Sequence, residues 1–282
     1  MHDAIHDNMH DTITGTTAAH WNSYQLAAIL TSCFEGYLTP FTLQGDAFAA
    51  RFAAEDVSLN DSMVWLQQGQ PVAIALIARR GKTSRLASFA IRPALRGQGL
   101  GKRCIQQLIA AARARGDNTL SLEVIVGNES GIALYQRMGF TIQQSLSGFH
   151  APVPSEAARV SELKEVDPLL MARKMMADPR HQLPWLSSAE TLYKLPGKAY
   201  SLNDVAWGMV MPGEPAKLRM LYVEPQARGR GEAKALLRLL REKFGYLSTA
   251  VAIPDSLSPL FLECGFIEDP IKQYEMSQQL SL

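Results

Sequence analysis

A glycine-rich segment at residues 96–101, Arg-Gly-Gln-Gly-Leu-Gly, has the composition of a phosphate-binding turn. It lies between residues 86–91, which predict a strand, and residues 100–115, whose apolar positions recur at helical spacing. A turn that leads into a helix presents free backbone N–H groups, and the helix dipole adds partial positive charge at the same end. Glycine lets the backbone approach phosphate oxygens closely, and the guanidinium of Arg96 can add a charge-assisted hydrogen bond. The segment therefore predicts a site for an anion such as a pyrophosphate.

Three phosphate-binding motifs can be compared with this segment. A Walker A loop needs glycine where Arg96 stands and Ser or Thr where Arg103 stands, so it fails twice. The dinucleotide-binding pattern Gly-x-Gly-x-x-Gly needs its third glycine one residue after Gly101. The pattern Arg/Gln-x-x-Gly-x-Gly/Ala matches at Arg96, Gly99 and Gly101.

A second block of residues follows downstream, with Asn128, Ala133, Tyr135 and the pair Gly139-Phe140. With both blocks at this spacing, the chain resembles the GNAT superfamily of acetyl-CoA-dependent N-acetyltransferases. The resemblance implies transfer of an acetyl group to a primary amine by direct attack on the thioester, with acetyl-CoA as cosubstrate. It also implies an α/β (α+β) fold, in which a mixed, largely antiparallel central sheet is flanked by helices.

Coenzyme binding in that family depends on a bulge that separates the strand before the turn from the next strand. Pantetheine fills the gap, so the resemblance implies that the backbone of residues 89–91 holds it and directs one N–H at the thioester oxygen. The residues expected to bind the coenzyme are Phe89, Ala90, Ile91, Arg96, Gly97, Gln98, Gly99, Leu100, Gly101 and Asn128.

Tyr135 matches the position of the family's general acid, which would protonate the departing thiolate. The alternative is a tyrosine packed in the core. Glu123 lies in an otherwise apolar strand, and some ribosomal-protein acetyltransferases of the superfamily use a glutamate in a similar Leu-Glu-Val setting as the base. The alternative is an ion pair with a nearby arginine. Asn128 either binds pantetheine or caps the following helix.

Amine recognition in the family comes from the first two helices and the loop between them. Residues 34–41 supply aromatic side chains and one carboxylate, Glu35, which could enclose a cationic amine. An aromatic core patch is an equal alternative. The acceptor is therefore expected to be a small-molecule or peptide amine, without further definition.

The glycine turn occurs twice in the chain. Residues 228–233, Arg-Gly-Arg-Gly-Glu-Ala, repeat it, and Gly265-Phe266 repeats Gly139-Phe140. Two copies of one unit explain the chain length better than one large domain. We expect a disordered polar tail over residues 1–20, an active first unit over 21–152 and a degenerate second unit over 153–282, where 159–177 are mainly helical.

The second copy lacks the side chains of the first. Counting back from Gly265-Phe266, Tyr135 corresponds to Phe261, Asn128 to Pro254 and Glu123 to Thr249. Phenylalanine cannot donate a proton, and proline has neither a side-chain amide nor an N–H. We therefore expect the second unit to be catalytically weak or silent, and coenzyme binding by it stays open. A second hypothesis for the whole chain is a non-catalytic acyl-CoA-binding or regulatory protein.

Composition excludes several other classes. The net charge of +1 favours neither a nucleic-acid nor a membrane-surface partner. The cysteines Cys33, Cys104 and Cys264 are too far apart for a disulfide framework or a zinc site, which fits a reducing cytoplasm. His2, His6 and His10 have helical spacing that metal ligands can use, but the surrounding composition favours a frayed tail. A cytoplasmic monomer or homodimer without a metal is expected.

Overall fold

The structure is a computed structural model that describes residues 13–153, 163–178 and 183–280. The described residues form two compact units, one from residues 13–141 with 276–280 and the other from residues 142–275. Both combine helices with a mainly antiparallel sheet, which confirms the predicted fold class. His2, His6 and His10 lie outside the described residues.

The first unit contains the glycine turn and the elements that position it. Its main segment runs in the order β1 (Ile13–Thr17), α1 (Ser23–Cys33), α2 (Gly45–Ala54), β2 (Val57–Gln67), β3 (Gln70–Arg80), β4 (Thr83–Ile91), α3 (Leu100–Ala114), β5 (Thr119–Ile125) and α4 (Glu129–Arg137). The sheet order is β1-β2-β3-β4-β5. Neighbours are antiparallel except β4 and β5, which are parallel.

Local sequence explains where the helices of this unit begin and end. Asn22 and Gln25 form a reciprocal capping box at the start of α1. Gly116, with φ of 77°, follows α3 in the left-handed conformation that commonly ends helices. Leu26 and Leu30 of α1 pack with Phe48 of α2 in one buried cluster with the sheet. These contacts fix α1 and α2 against the strands that carry the site.

The second unit repeats this plan with shorter elements. Its elements are β6 (Thr141–Ala151, from its second residue on), β7 (Lys164–Val166), α5 (Pro168–Met176), α6 (Ala189–Leu192), β8 (Lys198–Leu202), β9 (Ala206–Met211), β10 (Ala216–Val223), α7 (Glu232–Phe244), β11 (Leu247–Thr249), β12 (Ile253–Pro254), α8 (Ser258–Glu263) and most of β13 (Ile267–Gln279). Its sheet order is β13-β6-β11-β10-β9-β8-β7. Phe149 stacks on Phe261 in its main core, with ring centroids 4.8 Å apart.

The last strands of the two repeats do not stay in the units that the sequence predicts. Strand β6 follows the first repeat, yet its residues from 142 on belong to the second unit, where Ala151 pairs with Leu247. Residues 276–280 follow the second repeat, yet they belong to the first unit, where the N–H of Leu280 donates to the carbonyl of Asn118. The predicted boundary at 152/153 therefore lies at 141/142, and the C-terminal residues return to the first unit.

Two further sequence predictions differ from the structure. The tail predicted over 1–20 is wrong for residues 13–20, since Ile13–Thr17 pairs with β2 and a 3-10 helix follows. The helix predicted over 159–177 is replaced by β7 and α5 in its described part. Asp167 accepts a hydrogen bond from the N–H of Leu169 and Pro168 is the first helical residue, so this pair starts a new helix. Among the helices that the structure describes, none has the length and apolar composition needed to cross a bilayer.

A buried ion cluster joins β4, β5 and the residue that follows α2 in the first unit. Arg85 donates to both carboxylate oxygens of Glu123 and to Glu55, at 2.7–3.0 Å. Burial alone would raise the pKa of Glu55, but Arg85 and Arg51 outweigh it and hold that pKa below its ordinary value. The two carboxylates in turn outweigh the burial of Arg85 and raise the pKa of its guanidinium. Glu55 and Arg85 are therefore both charged in the folded protein at neutral pH.

The ion cluster predicts an acid-sensitive stability that Glu55→Gln removes in part. The folded pKa of Glu55 lies below the unfolded value of about 4.3, so its stabilisation is present above that pH and is lost as the pH falls through the folded value. Glu55→Gln should be less stable at pH 7, by about 3 kcal/mol, because it leaves Arg85 without one partner. Urea unfolding measured between pH 7 and pH 3 should show a smaller acid-dependent loss for the variant.

The matched control for this experiment is Glu35→Gln, since the side chain of Glu35 is exposed. Its unfolding free energy should follow the wild-type pH dependence. An unchanged acid limb in Glu55→Gln would contradict the assignment to this cluster.

Candidate active site

A gap opens between β4 and β5 at the point where their pairing ends. The parallel register runs from Thr83–Thr119 to Leu86–Leu122 and stops there, although both strands continue. Ala87 is an extra residue opposite β3, because Leu76 pairs with Ser88 and Ile77 with Leu86. A bulge of this kind bends a strand and interrupts its ladder. The bulge and separation that the family resemblance implied are thus found in this sheet.

A cavity of about 450 Å³ lies at this gap. Its lining comes from the end of α1 and its loop, the end of β4, the glycine turn and α4. The lining residues are Cys33, Phe34, Tyr37, Phe89, Ala90, Ile91, Arg96, Gly97, Gly99, Gly101, Lys102, Asn128, Ser130, Gly131, Leu134, Tyr135 and Arg137. Most of the residues that the sequence assigns to coenzyme binding therefore meet at one place.

The glycine turn has the backbone geometry of an anion site. Gly97 and Gly99 have φ values of 74° and 83°, in the left-handed region that favours glycine. Gly99 is the N-cap of α3 and provides no side-chain cap. The first N–H groups of a helix have no partner within the helix, so those of Leu100, Gly101 and Lys102 can receive an anion. Lys102 also lines the cavity and adds a positive charge beside them.

The guanidinium of Arg96 binds backbone carbonyls in this structure. Its Nε donates to the carbonyl of Ile91 at 2.9 Å, and its Nη2 donates to those of Cys33 and Glu35 at 2.9 and 2.7 Å. These contacts tie the end of α1 to the end of β4, the two walls of the cavity. Sequence reasoning expected a hydrogen bond from Arg96 to a phosphate, whereas its geometry here fixes the shape of the cavity.

Tyr135 lies on α4 with its ring almost fully buried at the edge of the cavity. The ring contacts Phe140 edge-on, with centroids 5.9 Å apart. Burial, with a smaller contribution from nearby Tyr37, raises the pKa of the Tyr135 phenol. The phenol is therefore protonated at neutral pH. Both sequence alternatives apply to it, because it packs in the core and also reaches the cavity.

Asn128 joins α4 to the loop that follows α1. Its Oδ1 accepts from the N–H of Gly131 at 3.0 Å, which caps α4 as the sequence alternative proposed. Its Nδ2 donates to Tyr37 Oη at 3.2 Å. Tyr37 also contacts Phe34 edge-on, with centroids 5.2 Å apart, and both rings line the cavity. Asn128 therefore holds the aromatic loop against the start of α4.

Glu123 is not among the cavity-lining residues. Both of its carboxylate oxygens accept hydrogen bonds from Arg85 within the buried ion cluster. Of the two interpretations that the sequence left open, this geometry favours the ion pair. The sequence suggested a base because a carboxylate stands in an otherwise apolar strand. Its partner, Arg85, lies in β4 and is 38 residues away, so the ion pair could not be recognised from the local sequence.

Two other assigned residues also lie outside the lining. Leu100 is buried in the core below the turn. Gln98 is exposed, and its Nε2 donates to the carbonyl of Ala94 at 2.7 Å. The backbone N–H of each can still bind an anion at the turn, because such a turn binds through its backbone and not through side chains.

Sequence reasoning missed several lining residues. The most consequential are Lys102 and Arg137, whereas Tyr37 belongs to the aromatic segment 34–41 that the sequence singled out. Lys102 directly follows the glycine turn, and Arg137 lies two residues after Tyr135, so proximity to the two motifs was the available signal. Within the described residues, no group of three or more His, Cys, Asp and Glu could hold a metal ion.

The second unit repeats the backbone of this site. Arg219 is an extra residue between Leu218 and Met220, and the pairing of β10 with β11 ends at Leu218–Thr249. Gly229 and Gly231 have φ values of 75° and 85°. The bulge, the gap and the turn therefore all have counterparts, and a cavity of about 330 Å³ lies at this second turn.

The side chains of the second site differ from those of the first. Phe261 occupies the place of Tyr135, since the N–H of Phe266 donates to its carbonyl as that of Phe140 does to Tyr135. Glu232 starts α7 and places a negative charge where the helix dipole attracts anions. Lys234, the counterpart of Lys102, forms an ion pair with Glu263.

One correspondence from sequence counting is wrong by a residue. Thr249 pairs with Leu218 as Leu122 pairs with Leu86, so it corresponds to Leu122 and not to Glu123. Counting back from Gly265-Phe266 to the strand crosses a loop, and the loops of the two units can differ in length. The pairing of the strands, and not the count, therefore fixes the correspondence.

Comparison with known proteins places these features in context. The family model described as "Acetyltransferase (GNAT) family" matches residues 24–140. The [ribosomal protein bS18]-alanine N-acetyltransferase of Escherichia coli strain K12 is 36% identical over 74 residues, which cover 26% of this chain and 50% of that protein. The chain thus spans about half the length of the curated relatives it matches.

Two solved structures show the same fold over nearly the whole chain. A GCN5-related N-acetyltransferase from Sphaerobacter thermophilus has a TM-score of 0.66 at 16% identity, with 96% of each chain covered. A tandem GNAT protein from the clavulanic acid biosynthesis pathway has a TM-score of 0.58 at 14% identity, covering 96% of this chain and 99% of that one. At these identities the similarity concerns the fold alone.

The three carbonyl contacts of Arg96 predict that ligand affinity depends more on the planar shape of its guanidinium than on its charge. Arg96→Lys keeps the charge but loses the planar fork that binds three carbonyls. We expect the dissociation constant for acetyl-CoA to rise about tenfold, the cost of roughly one hydrogen bond to a charged group. Isothermal titration calorimetry measures this directly.

Arg103→Lys is the control, because Arg103 is an exposed residue of α3 outside the cavity lining. It should bind acetyl-CoA as the wild type does. Wild-type affinity in Arg96→Lys would show that only the charge of Arg96 counts.

Proposed function

We propose that the first unit, which matches the acetyltransferase (GNAT) family over residues 24–140, transfers the acetyl group of acetyl-CoA to a primary amine. The observation that carries the proposal is the cavity where β4 and β5 separate, lined by the glycine turn on one side and Tyr135 on the other. The name of the Escherichia coli relative specifies an alanine of a ribosomal protein, which supports including peptide amines among the acceptors. Small-molecule amines belong to the same proposal.

The residues around the cavity fit the parts of acetyl-CoA. The N–H groups at the start of α3 and the ammonium of Lys102 are suited to the pyrophosphate. Residues 89–91, at the end of β4, lie beyond the last residue pair with β5. Their backbone N–H and C=O groups on that side can therefore bind the extended pantetheine. Arg96 contributes by keeping the end of α1 against the end of β4.

Tyr135 is the proposed acid of the transfer. The amine nitrogen forms its bond to the acyl carbon as the carbon–sulfur bond breaks, and the sulfur leaves with the electron pair. The phenol of Tyr135 gives its proton to the sulfur, and the proton that the nitrogen loses restores the phenol. The raised pKa of Tyr135 keeps this proton available at neutral pH.

The second unit has a different proposed role. Phe261 cannot donate a proton, and Glu232 with the ion-paired Lys234 makes its helix start unfavourable for a phosphate. We therefore assign acetyl-CoA binding and chemistry to the first unit alone.

Tyr135→Phe tests the acid. Removing the hydroxyl should lower kcat for thiol release about a hundredfold, at the lower end of the range for general acid catalysis, because the thiolate then leaves unprotonated. The acetyl-CoA dissociation constant should change little, since the ring still fills its place. A stopped assay for free thiol and calorimetry measure the two quantities.

Tyr193→Phe serves as the control, because Tyr193 is exposed and belongs to the second unit. Its kcat should equal that of the wild type. An undiminished kcat in Tyr135→Phe would sink the acid assignment. Acetyl-CoA binding without thiol release for any amine would favour a binding protein over an enzyme.

The stoichiometry of acetyl-CoA binding tests the assignment to one unit. Calorimetry should give one site per chain, and Lys102→Ala should weaken it several-fold while Lys234→Ala leaves it unchanged. Two sites of similar affinity would contradict the proposed role of the second unit.

A further inference from the structure

We propose that Tyr37 is a further catalytic residue of the first unit, whose hydroxyl donates a hydrogen bond to the carbonyl oxygen of the bound acetyl thioester, and that Asn128 positions this hydroxyl. The inference rests on the proposed acetyl transfer and adds a second phenol to the reacting centre. It follows from the direction of the hydrogen bonds around Asn128.

The side-chain amide of Asn128 can be oriented in only one way. A backbone N–H can only donate, so the amide atom that faces the N–H of Gly131 at 3.0 Å must be the oxygen Oδ1. Ser130 Oγ donates to the same oxygen at 3.2 Å. The nitrogen Nδ2 therefore faces Tyr37 Oη, 3.2 Å away, and donates to it. Tyr37 is thus the acceptor of this contact, and its own hydrogen is not used there.

The parts of the protein that hold Tyr37 are themselves tightly placed. A Cβ atom at residue 131 would lie 2.5 Å from Nδ2 and 2.8 Å from Cγ of Asn128, so only a glycine leaves room for the amide. On the other side, the ring of Phe34 contacts the ring of Tyr37 edge-on, with centroids 5.2 Å apart. The position of the Tyr37 hydroxyl is therefore fixed by the start of α4 and by the end of α1.

The hydrogen of the Tyr37 hydroxyl is free for a ligand. Among the described residues, none accepts a hydrogen bond from Tyr37, and its side chain lines the cavity. Burial raises the pKa of this phenol, so the hydrogen is present at neutral pH. Donation by Asn128 to the phenol oxygen also strengthens the hydroxyl as a donor, because hydrogen bonds in a chain polarise one another.

Tyr135 indicates which ligand atom Tyr37 can serve. The two phenols are close enough to interact, since Tyr37 contributes to the raised pKa of Tyr135. The reacting end of a thioester has two atoms for hydrogen-bond donors, the sulfur and the carbonyl oxygen. The proposed function pairs Tyr135 with the sulfur, which leaves the carbonyl oxygen for Tyr37. Negative charge develops on this oxygen as the amine attacks, so a fixed donor there stabilises the transition state more than the bound substrate.

Infrared difference spectroscopy tests the contact without any amine acceptor. Acetyl-CoA with a heavy carbon isotope at its carbonyl is bound to the full chain, and its C=O stretching band is recorded. A hydrogen bond to the carbonyl oxygen weakens the C=O bond. The band should therefore lie at lower frequency in the wild type than in Tyr37→Phe. The dissociation constant for acetyl-CoA, measured by calorimetry, should rise by less than about tenfold, because one neutral hydrogen bond is lost from the bound substrate.

Kinetic measurements then separate Tyr37 from Asn128, with the best acceptor from a panel of small amines and peptides. Tyr37→Phe should lower kcat for thiol release about a hundredfold, at the lower end of the range for loss of one oxyanion donor. Asn128→Asp still caps α4, but its carboxylate accepts the hydrogen of the Tyr37 hydroxyl and turns it away from the ligand. Its kcat and its C=O band should therefore match those of Tyr37→Phe, and the double variant should lose nothing further.

Tyr24→Phe is the matched control, because it removes an exposed hydroxyl of the same unit that is bonded to Asp46 at 2.7 Å. Its C=O band and its kcat should equal those of the wild type.

The outcomes separate this inference from the function on which it rests. Equal C=O bands in the wild type and Tyr37→Phe would overturn the inference. An unchanged kcat with a raised KM for the acceptor in Tyr37→Phe would overturn it too, because the hydroxyl would then bind the acceptor. A wild-type band in Asn128→Asp would overturn the positioning role. Each of these results leaves acetyl transfer intact. Absence of thiol release by the wild type with every amine of the panel would instead overturn the proposed function.

Discussion

The point at which β4 stops pairing with β5 determines the rest of the candidate site. One extra residue, Ala87, bends β4 directly after its last paired residue, Leu86. Beyond it the backbone of β4 has polar groups on one side that the sheet does not use, and unpaired backbone groups need another partner. An extended ligand can supply these hydrogen bonds as a further strand would. The cavity therefore results from the geometry of the strands, and the side chains around it complete its lining.

The glycine turn depends on the same strand. It begins five residues after β4 ends, and two left-handed glycines turn the chain so that α3 starts beside the gap. Arg96 makes this arrangement rigid by binding the carbonyl of Ile91 and two carbonyls at the end of α1. The second unit repeats the contact, since Arg228 Nε donates to the carbonyl of Val223 and its other nitrogen binds Asp178. The arginine of this motif thus has a structural role in both units, independent of any ligand.

Local patterns in the sequence predicted most helices and strands. They did not predict which residues or strands distant in sequence pair with one another. Helix α2 over Gly45–Ala54 and the turn at 96–101 follow from spacing and glycine chemistry, which act over a few residues. The partner of Glu123 is Arg85, and no short-range pattern joins the two. The placement of β6 in the second unit and of residues 276–280 in the first is equally invisible, because a strand has the same sequence pattern whichever sheet it joins. The β1 strand was missed for a related reason, since its pairing with β2 is decided by residues far along the chain.

The two units show which part of the site is common to both and which distinguishes them. The bulge, the gap and the left-handed glycines are present in both units. This backbone arrangement therefore forms whether or not the proposed acid side chain is present. The differences lie in a few side chains: a hydroxyl on Tyr135 that Phe261 lacks, and a carboxylate on Glu232 where Leu100 is apolar. Each difference acts through a different physical effect, proton donation in one case and the charge at a helix start in the other. In the proposed function the two copies therefore share the backbone that would hold a strand-like ligand, and the side chains at Tyr135 and Leu100, with their counterparts Phe261 and Glu232, separate an active copy from an inactive one.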